Sequence, residues 1–232
     1  MDAKRTPLCD WKSPKLGVGS CDFWAARAKK LGGTLRKKAT GTYIQFYDSP
    51  LGKLAMRSDG SALIGLGLAS QQAAGAAATG TRPQEKSLPI FQDTARWLET
   101  YFRGCAPSFT PQLKLSGSDF QKRVCEIMLT IPYGETVTYG EIAAQIARER
   151  GIPRMSAQAV GGAVGANPIL LIVPCHRVIG AGGNLTGYGA GMERKIQLLT
   201  LEKVDMTNLF VPKKKSVPKK QPLPKNPRPR SE

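Results

Sequence analysis

Asn167-Pro168-Ile169-Leu170-Leu171-Ile172-Val173-Pro174-Cys175-His176-Arg177-Val178-Ile179-Gly180 sets a cysteine beside the only histidine of the chain. The apolar run Ile169–Val173, closed by a proline, reads as a buried strand with the Cys-His pair at its mouth. Thiolate is the nucleophilic form of cysteine, and a base held close can generate it near neutral pH. The pair alone fits a buried structural cysteine beside a chance surface histidine better than it fits a nucleophile, and its surroundings must decide. It also leaves a hydrolase and a transferase equally open.

Outward from this stretch, the C-terminal half reads as mostly helical. Ser118-Asp119-Phe120-Gln121 has the form of a capping box, with Phe120, Val124, Ile127 and Met128 on one face behind it. After the turn Ile131–Glu135, Thr138-Tyr139-Gly140-Glu141 is a second capping box that opens a short helix through Arg148. Gly151-Ile152-Pro153 ends it, and Ser156–Ala166 forms another helix. Two short helices around a Gly-Pro turn have the outline of a helix-turn-helix. The second helix presents almost only Ala and Gly, with no Lys, Arg or Asn to read base edges. Such a slim helix suits either close packing on a neighbouring helix or entry into a narrow groove of DNA with little base readout.

The N-terminal half reads as a small α/β unit. Thr42–Tyr47 alternates, Asp48–Gly52 marks a turn, and Lys53–Ser58 and Ala62–Leu66 complete an antiparallel meander. Residues 67–87 read as a loop, with an alanine helix at 71–78 as the alternative. A helix starts at Pro89, with Phe91, Ala95, Leu98 and Phe102 on one face and Gly104 at its end. The fold class expected is therefore an α/β N-terminal domain, a small antiparallel sheet plus helix, followed by a mostly helical C-terminal domain with a helix-turn-helix. The expected division is a basic extension over 1–40, the α/β domain over 41–113, the reactive domain over 114–205 and a basic disordered tail over 206–232.

Charge separates the ends from the middle. Of the formal +17, residues 1–40 carry +7 and residues 211–232 another +7, leaving +3 for the rest of the 232-residue chain. The tail, with Lys213–Lys215 and Lys219–Lys220 between prolines, has too little apolar surface to offset its ordering entropy. It suits nuclear import, nonspecific phosphate attraction or simple solubility. The five cysteines form no CxxC spacing, and their odd number argues against a disulfide framework. No stretch approaches a membrane span and the N-terminus lacks an apolar signal core, so a soluble protein in a reducing compartment is expected.

The Asn167–Gly180 stretch closely resembles the active-site signature of the O6-alkylguanine-DNA alkyltransferases (methylated-DNA–protein-cysteine methyltransferases). Tyr47–Gly52, Phe120-Gln121, Ile131–Ala143, Ala159–Ala163 and Leu185–Tyr188 agree with that family in order and spacing, so the resemblance spans roughly residues 42–205. It implies flipping of a damaged guanine and irreversible transfer of its O6-alkyl group to the protein's own cysteine, once per molecule. It implies Cys175 as acceptor, His176 as the base acting through a water, and Glu202 orienting the imidazole. Asn167 would tie the helix-turn-helix to the active-site segment. Tyr139 would help rotate the nucleotide and protonate the departing guanine. The same resemblance assigns Ala157, Gln158, Gly161, Gly162 and Arg177 to DNA contact, and Val173, Tyr188 and Gly189 to the base pocket. No cofactor is implied. The implied partner is double-stranded DNA carrying O6-alkylguanine, with O4-alkylthymine as a second lesion to test, bound by a monomer in the nucleus of a eukaryote or otherwise in the cytoplasm.

Three departures stand out. Gln158 occupies a position where many relatives carry arginine. Leu170 replaces a second proline found over the pocket in some animal relatives, which should alter the tolerance of bulky O6-benzyl groups. A single histidine cannot reproduce the Cys/His zinc ligands of some relatives, so no structural zinc is expected. Three other readings compete. A noncatalytic lesion binder would lack Cys175, a sequence-specific regulator would need a richer recognition helix, and a cysteine hydrolase would release product repeatedly.

Overall fold

A computed structural model describes residues 42–71 and 83–212. The expected basic extension, most of the alternative alanine helix and the Lys213–Lys220 tail lie outside the described residues. Three strands form the expected meander: β1 (Tyr43–Ser49), β2 (Gly52–Ser58) and β3 (Leu63–Leu68), paired antiparallel in sequence order. The β1–β2 hairpin closes on a two-residue loop, with Ser49 opposite Gly52. Gly52 takes φ +106°, a conformation that costs glycine little and other residues much. Two residues that the sequence reading left in a loop, Gln84–Glu85, form a short β4 parallel to β1, giving the order β3-β2-β1-β4.

Helix α1 (Pro89–Phe102) begins with proline in its first turn, where the missing N–H would have no helical partner in any case. Its buried face is Ile90, Phe91, Thr94, Trp97, Leu98 and Tyr101. Ala95 and Phe102 are only half-buried, so the expected stripe is rotated toward the side that carries the two larger aromatics. Gly104, at φ +77°, follows the helix as expected.

The C-terminal half has α2 (Asp119–Leu129), a two-residue β5 (Val137–Thr138), α3 (Tyr139–Glu149), α4 (Ala157–Gly165), β6 (Val178–Ile179) parallel to β5, and α5 (Met192–Leu201). Both capping boxes form: Ser118 with Gln121 opens α2, and Thr138 with Glu141 opens α3. Ser156 caps α4 through the Ala159 amide. One apolar core runs through both halves, from Leu54, Leu66 and Phe91 to Met128, Ile146, Val160 and Leu198.

The halves also share backbone hydrogen bonds. The Leu66 amide donates to Pro168 O (2.9 Å) and Leu66 O accepts from the Leu170 amide (2.8 Å). Leu63 is bonded in the same way to the segment around Leu113. The folded part also continues beyond residue 205. Phe210 donates to Gly183 O and accepts from the Leu185 amide, and Met206 and Leu209 pack on Leu185 and Leu199. This segment was expected to lie in the disordered tail, but its apolar residues find a small second core.

Candidate active site

The apolar run before the cysteine is not a strand. Only Ile169 makes a β-bridge, to Leu66, and the chain then coils through tight turns. Asn167 imposes this shape. Its Oδ1 accepts the Ile169 amide (3.0 Å) and its Nδ2 donates to Val173 O (2.8 Å), stapling a loop across six residues. Leu171 is held at φ +70°, a region unfavourable for a residue with a Cβ. Nearly every side chain of the run is buried whichever way it points, so composition could not separate a turn from a strand.

The turns deliver Cys175 into a single 3-10 turn, Cys175–Arg177. The thiol is buried, and burial pushes its pKa up. The Asn167 amide, the Lys195 charge and the backbone amides of Cys175 and His176 pull the other way without prevailing. The resting group is a thiol that needs a base.

His176 is fully buried and its Nε2 lies 2.6 Å from Glu202 Oε1. Burial holds the imidazole pKa below its usual value despite the opposing pull of Glu202. Burial alone would raise the Glu202 carboxyl, but hydrogen bonds and charge from His176 and Arg177 hold it down at about 2. The pair is thus a neutral imidazole donating to a carboxylate. Arg177 completes a fork on the same carboxylate, Nε to Oε2 at 2.7 Å and Nη2 to Oε1 at 3.0 Å, while its Nη1 donates to Ile131 O. The Gly134 amide adds a further bond to Oε2. Arg177, expected at the DNA, is instead buried and committed to Glu202.

Two residues that sequence reasoning passed over also converge here. Tyr101 of α1 donates to Glu202 Oε1 (2.6 Å) and lies 3.2 Å from His176 Nε2. Lys195 of α5 is fully buried, with Nζ donating to Val178 O (2.6 Å) and Thr186 O (2.9 Å). Burial lowers its pKa to about 8, against an upward pull from Cys175. The one available signal for Lys195 was a base at helical spacing among apolar positions of the last helix.

Tyr139, first residue of α3, is half-buried and donates to Thr186 O at 3.3 Å. Burial, then the nearby Cys175, raises its pKa, so the phenol keeps its proton. Tyr188 packs edge-on to His176 with ring centroids 6.5 Å apart. Gly189 is exposed, and its carbonyl accepts from Gln71 of the N-terminal half. Val173, expected to offer a backbone group to the base, has its carbonyl engaged by both Asn167 Nδ2 and the Cys175 amide. Both lone pairs are spent within the chain.

Helix α4 turns Val160, Ala163 and Val164 inward and leaves Ala157, Gln158 and Gly162 exposed. A Cβ added at Gly162 or Gly165 would meet nothing within 4 Å among the described residues, and one at Gly161 would meet only the Tyr139 ring at 3.9 Å. Glycine inside a helix costs about 1 kcal/mol relative to alanine. Packing among the described residues does not demand that cost at Gly162 or Gly165.

Among the described residues no cluster of three or more His, Cys, Asp or Glu could hold a metal ion. No helix there is long and apolar enough to cross a membrane.

Two family models match. Residues 42–115 match the 6-O-methylguanine DNA methyltransferase ribonuclease-like domain, and residues 119–204 match the DNA binding domain of the same family. A methylated-DNA–protein-cysteine methyltransferase of Mycobacterium tuberculosis is 49% identical over 156 residues, covering 67% of this chain and 89% of the relative. One from Haemophilus influenzae is 39% identical over 169 residues, 71% and 88% of the two chains. Among solved structures, Mycobacterium tuberculosis OGT in complex with DNA aligns with TM-score 0.59 and 46% identity, over 69% of this chain and 92% of that one.

Proposed function

This chain belongs to the 6-O-methylguanine DNA methyltransferase family, and from that premise we propose that it repairs O6-alkylguanine in duplex DNA by stoichiometric transfer of the alkyl group to Cys175. The observation that carries the reading is the buried Cys175–His176–Glu202 arrangement beside the exposed slim helix α4. His176 Nδ1 is buried without a hydrogen-bond partner among the described residues and is the ring atom through which a water takes the thiol proton. The sulfur then attacks the alkyl carbon. A C–S bond forms as the bond from carbon to O6 breaks, and the electron pair passes into the guanine ring. The protonated Tyr139 phenol supplies a proton to the ring nitrogen, so that neutral guanine leaves. The product thioether has no route back to a thiol, and the molecule acts once.

A guanine inside the stack cannot reach a fully buried sulfur, so the target nucleotide must be flipped. The bare face of α4 enters the minor groove, Gln158 fills the gap left by the base, and Tyr188 and Gly189 border the pocket. The protein acts as a monomer. The relatives quoted are bacterial, and the cytoplasm is the compartment that fits them.

The test is incubation with an oligonucleotide carrying O6-methylguanine, followed by intact-mass measurement. The expected result is one added methyl per chain, mapped to the peptide holding Cys175 and absent in Cys175→Ala. Catalytic release of product beyond one equivalent, or no adduct on a correctly folded chain, would reject the reading. A second expectation concerns Gln158. Glutamine can bond to an orphaned cytosine but brings no charge, so Gln158→Arg should capture the lesion in duplex DNA roughly 3- to 10-fold faster, the effect of about 1 kcal/mol of charge-assisted contact. Equal or faster single-turnover repair by the native chain would refute it.

A further inference from the structure

We propose that Tyr101, carried by α1 in the N-terminal half, is a positioning residue for alkyl transfer: as donor to Glu202 Oε1 and second acceptor beside it at His176 Nε2, it holds the ring with Nε2–H inward and Nδ1 as the base. This rests on the reading of Cys175 as the acceptor. Three atoms meet at one point: Glu202 Oε1, Tyr101 Oη and His176 Nε2. Glu202 is ionised, so Oε1 can only accept. The phenol has one proton, and the 2.6 Å separation from Oε1 requires it there, because two unprotonated oxygens at that distance would repel. Toward Nε2, at 3.2 Å, the phenol can then offer only a lone pair. Nε2 therefore faces two acceptors and must carry hydrogen. A neutral ring has one N–H, and Nδ1 is left bare.

The phenol is not free to turn away from this role. Tyr101 is fully buried and its ring stacks on Trp97, with centroids 5.1 Å apart and planes 10° apart. Phe102, Tyr133 and His176 meet it edge-on at 5.5, 6.0 and 6.3 Å. A phenylalanine would fill the same space, so packing alone does not call for the hydroxyl, whose burial costs free energy unless it is bonded. Its two partners lie 75 and 101 residues away in sequence. They fall within the segment matched by the DNA binding domain, whereas Tyr101 falls within the segment matched by the ribonuclease-like domain. The relay is completed only when both halves are present.

The single histidine makes the test direct, since a chain labelled with 15N-histidine gives ring-nitrogen signals from His176 alone. In the full wild-type chain at neutral pH, without DNA, the expected spectrum shows hydrogen on Nε2 and none on Nδ1. A wild-type spectrum with hydrogen on Nδ1 overturns the proposal, whatever any variant does. In Tyr101→Phe, with folding checked by circular dichroism, Glu202 should keep hydrogen on Nε2, and the Nε2–H signal should shift as the second acceptor is lost. The single-turnover rate on O6-methylguanine DNA should fall at least about tenfold, with the Kd for DNA within twofold of wild type. Alkylation of Cys175 by iodoacetamide, which needs no DNA, should slow in parallel. A folded Tyr101→Phe that keeps the wild-type Nε2–H signal or the wild-type rate overturns the proposal. Failure of the underlying reading shows elsewhere, as a wild-type chain that gains no methyl on Cys175.

Discussion

Replacing Glu202 by alanine is expected to destabilise the folded chain by about 3–5 kcal/mol and to abolish measurable alkyl transfer. The carboxylate accepts from Tyr101, His176, the Gly134 amide and both arms of Arg177, all in the interior. Its removal strands a buried guanidinium that keeps the Ile131 carbonyl and the face of the Tyr133 ring but loses its carboxylate. An uncompensated buried charge is among the largest single losses a fold can suffer. Urea denaturation monitored by circular dichroism measures it, and a loss under about 1 kcal/mol would show that the network is not a keystone of the fold.

The same network sets the response to acid. The folded pKa of Glu202, about 2, lies below its ordinary 4.5, so its contribution is fully present above about pH 4.5 and is lost as pH falls toward 2. Burial also lowers the folded pKa of His176 below 6.5, so the unfolded chain binds the extra proton first and stability already falls as pH drops through that value. Both groups act in one direction. The urea midpoint should decline steadily below about pH 6.5, and a midpoint that rises between pH 7 and 5 would contradict the assignment.

Asn167→Ala should lower the single-turnover rate about 100-fold while leaving DNA affinity within a few-fold of wild type. The substitution deletes both bonds that close the Ile169–Val173 loop and leaves a buried amide and a buried carbonyl each short of a partner. Leu171, at φ +70°, then loses the staple that offsets its unfavourable backbone. Relaxation of this loop displaces Cys175 by a fraction of an ångström to an ångström, enough to cost about two orders of magnitude in rate. The thiol also loses the amide that favours its charged form. Rapid-quench transfer kinetics beside equilibrium DNA binding separate the two effects, and a wild-type rate in this variant would remove Asn167 from its positioning role.

Sequence reasoning succeeded where a local rule decides local structure. The capping boxes at Ser118 and Thr138, the turn at Gly52 and the proline entry to α1 depend on residues within four positions of one another, and each formed as expected. It failed where burial erases the pattern or where the deciding partner is distant. Ile169–Val173 carries no periodicity because nearly all of it is buried, and the bend depends on an asparagine whose side chain competes with strand pairing. Tyr101 looked like one more aromatic on an amphipathic helix, because nothing near it in sequence reveals a carboxylate 101 residues away. Arg177, next to the site in sequence, was assigned to DNA with the resemblance, and its carboxylate partner lies 25 residues away. The proposed nucleophile and base, Cys175 and His176, were legible, and the resemblance pointed to Asn167 and Glu202; Tyr101 and Lys195, which also converge here, were not.

The pairing of Leu66 with the Pro168–Leu170 segment has a consequence for biosynthesis. As the chain leaves the ribosome, β3 appears well before the residues that will bond to its edge. Roughly 100 residues at 5–20 residues per second is on the order of 5–20 s, during which that edge has unmet backbone groups and an apolar face. The strand reads Leu63-Ile64-Gly65-Leu66-Gly67-Leu68, and its two glycines make it a poor template for pairing with another nascent chain. Delayed docking of the cysteine segment thus falls on a strand whose composition discourages the wrong partner while the right one is still being made.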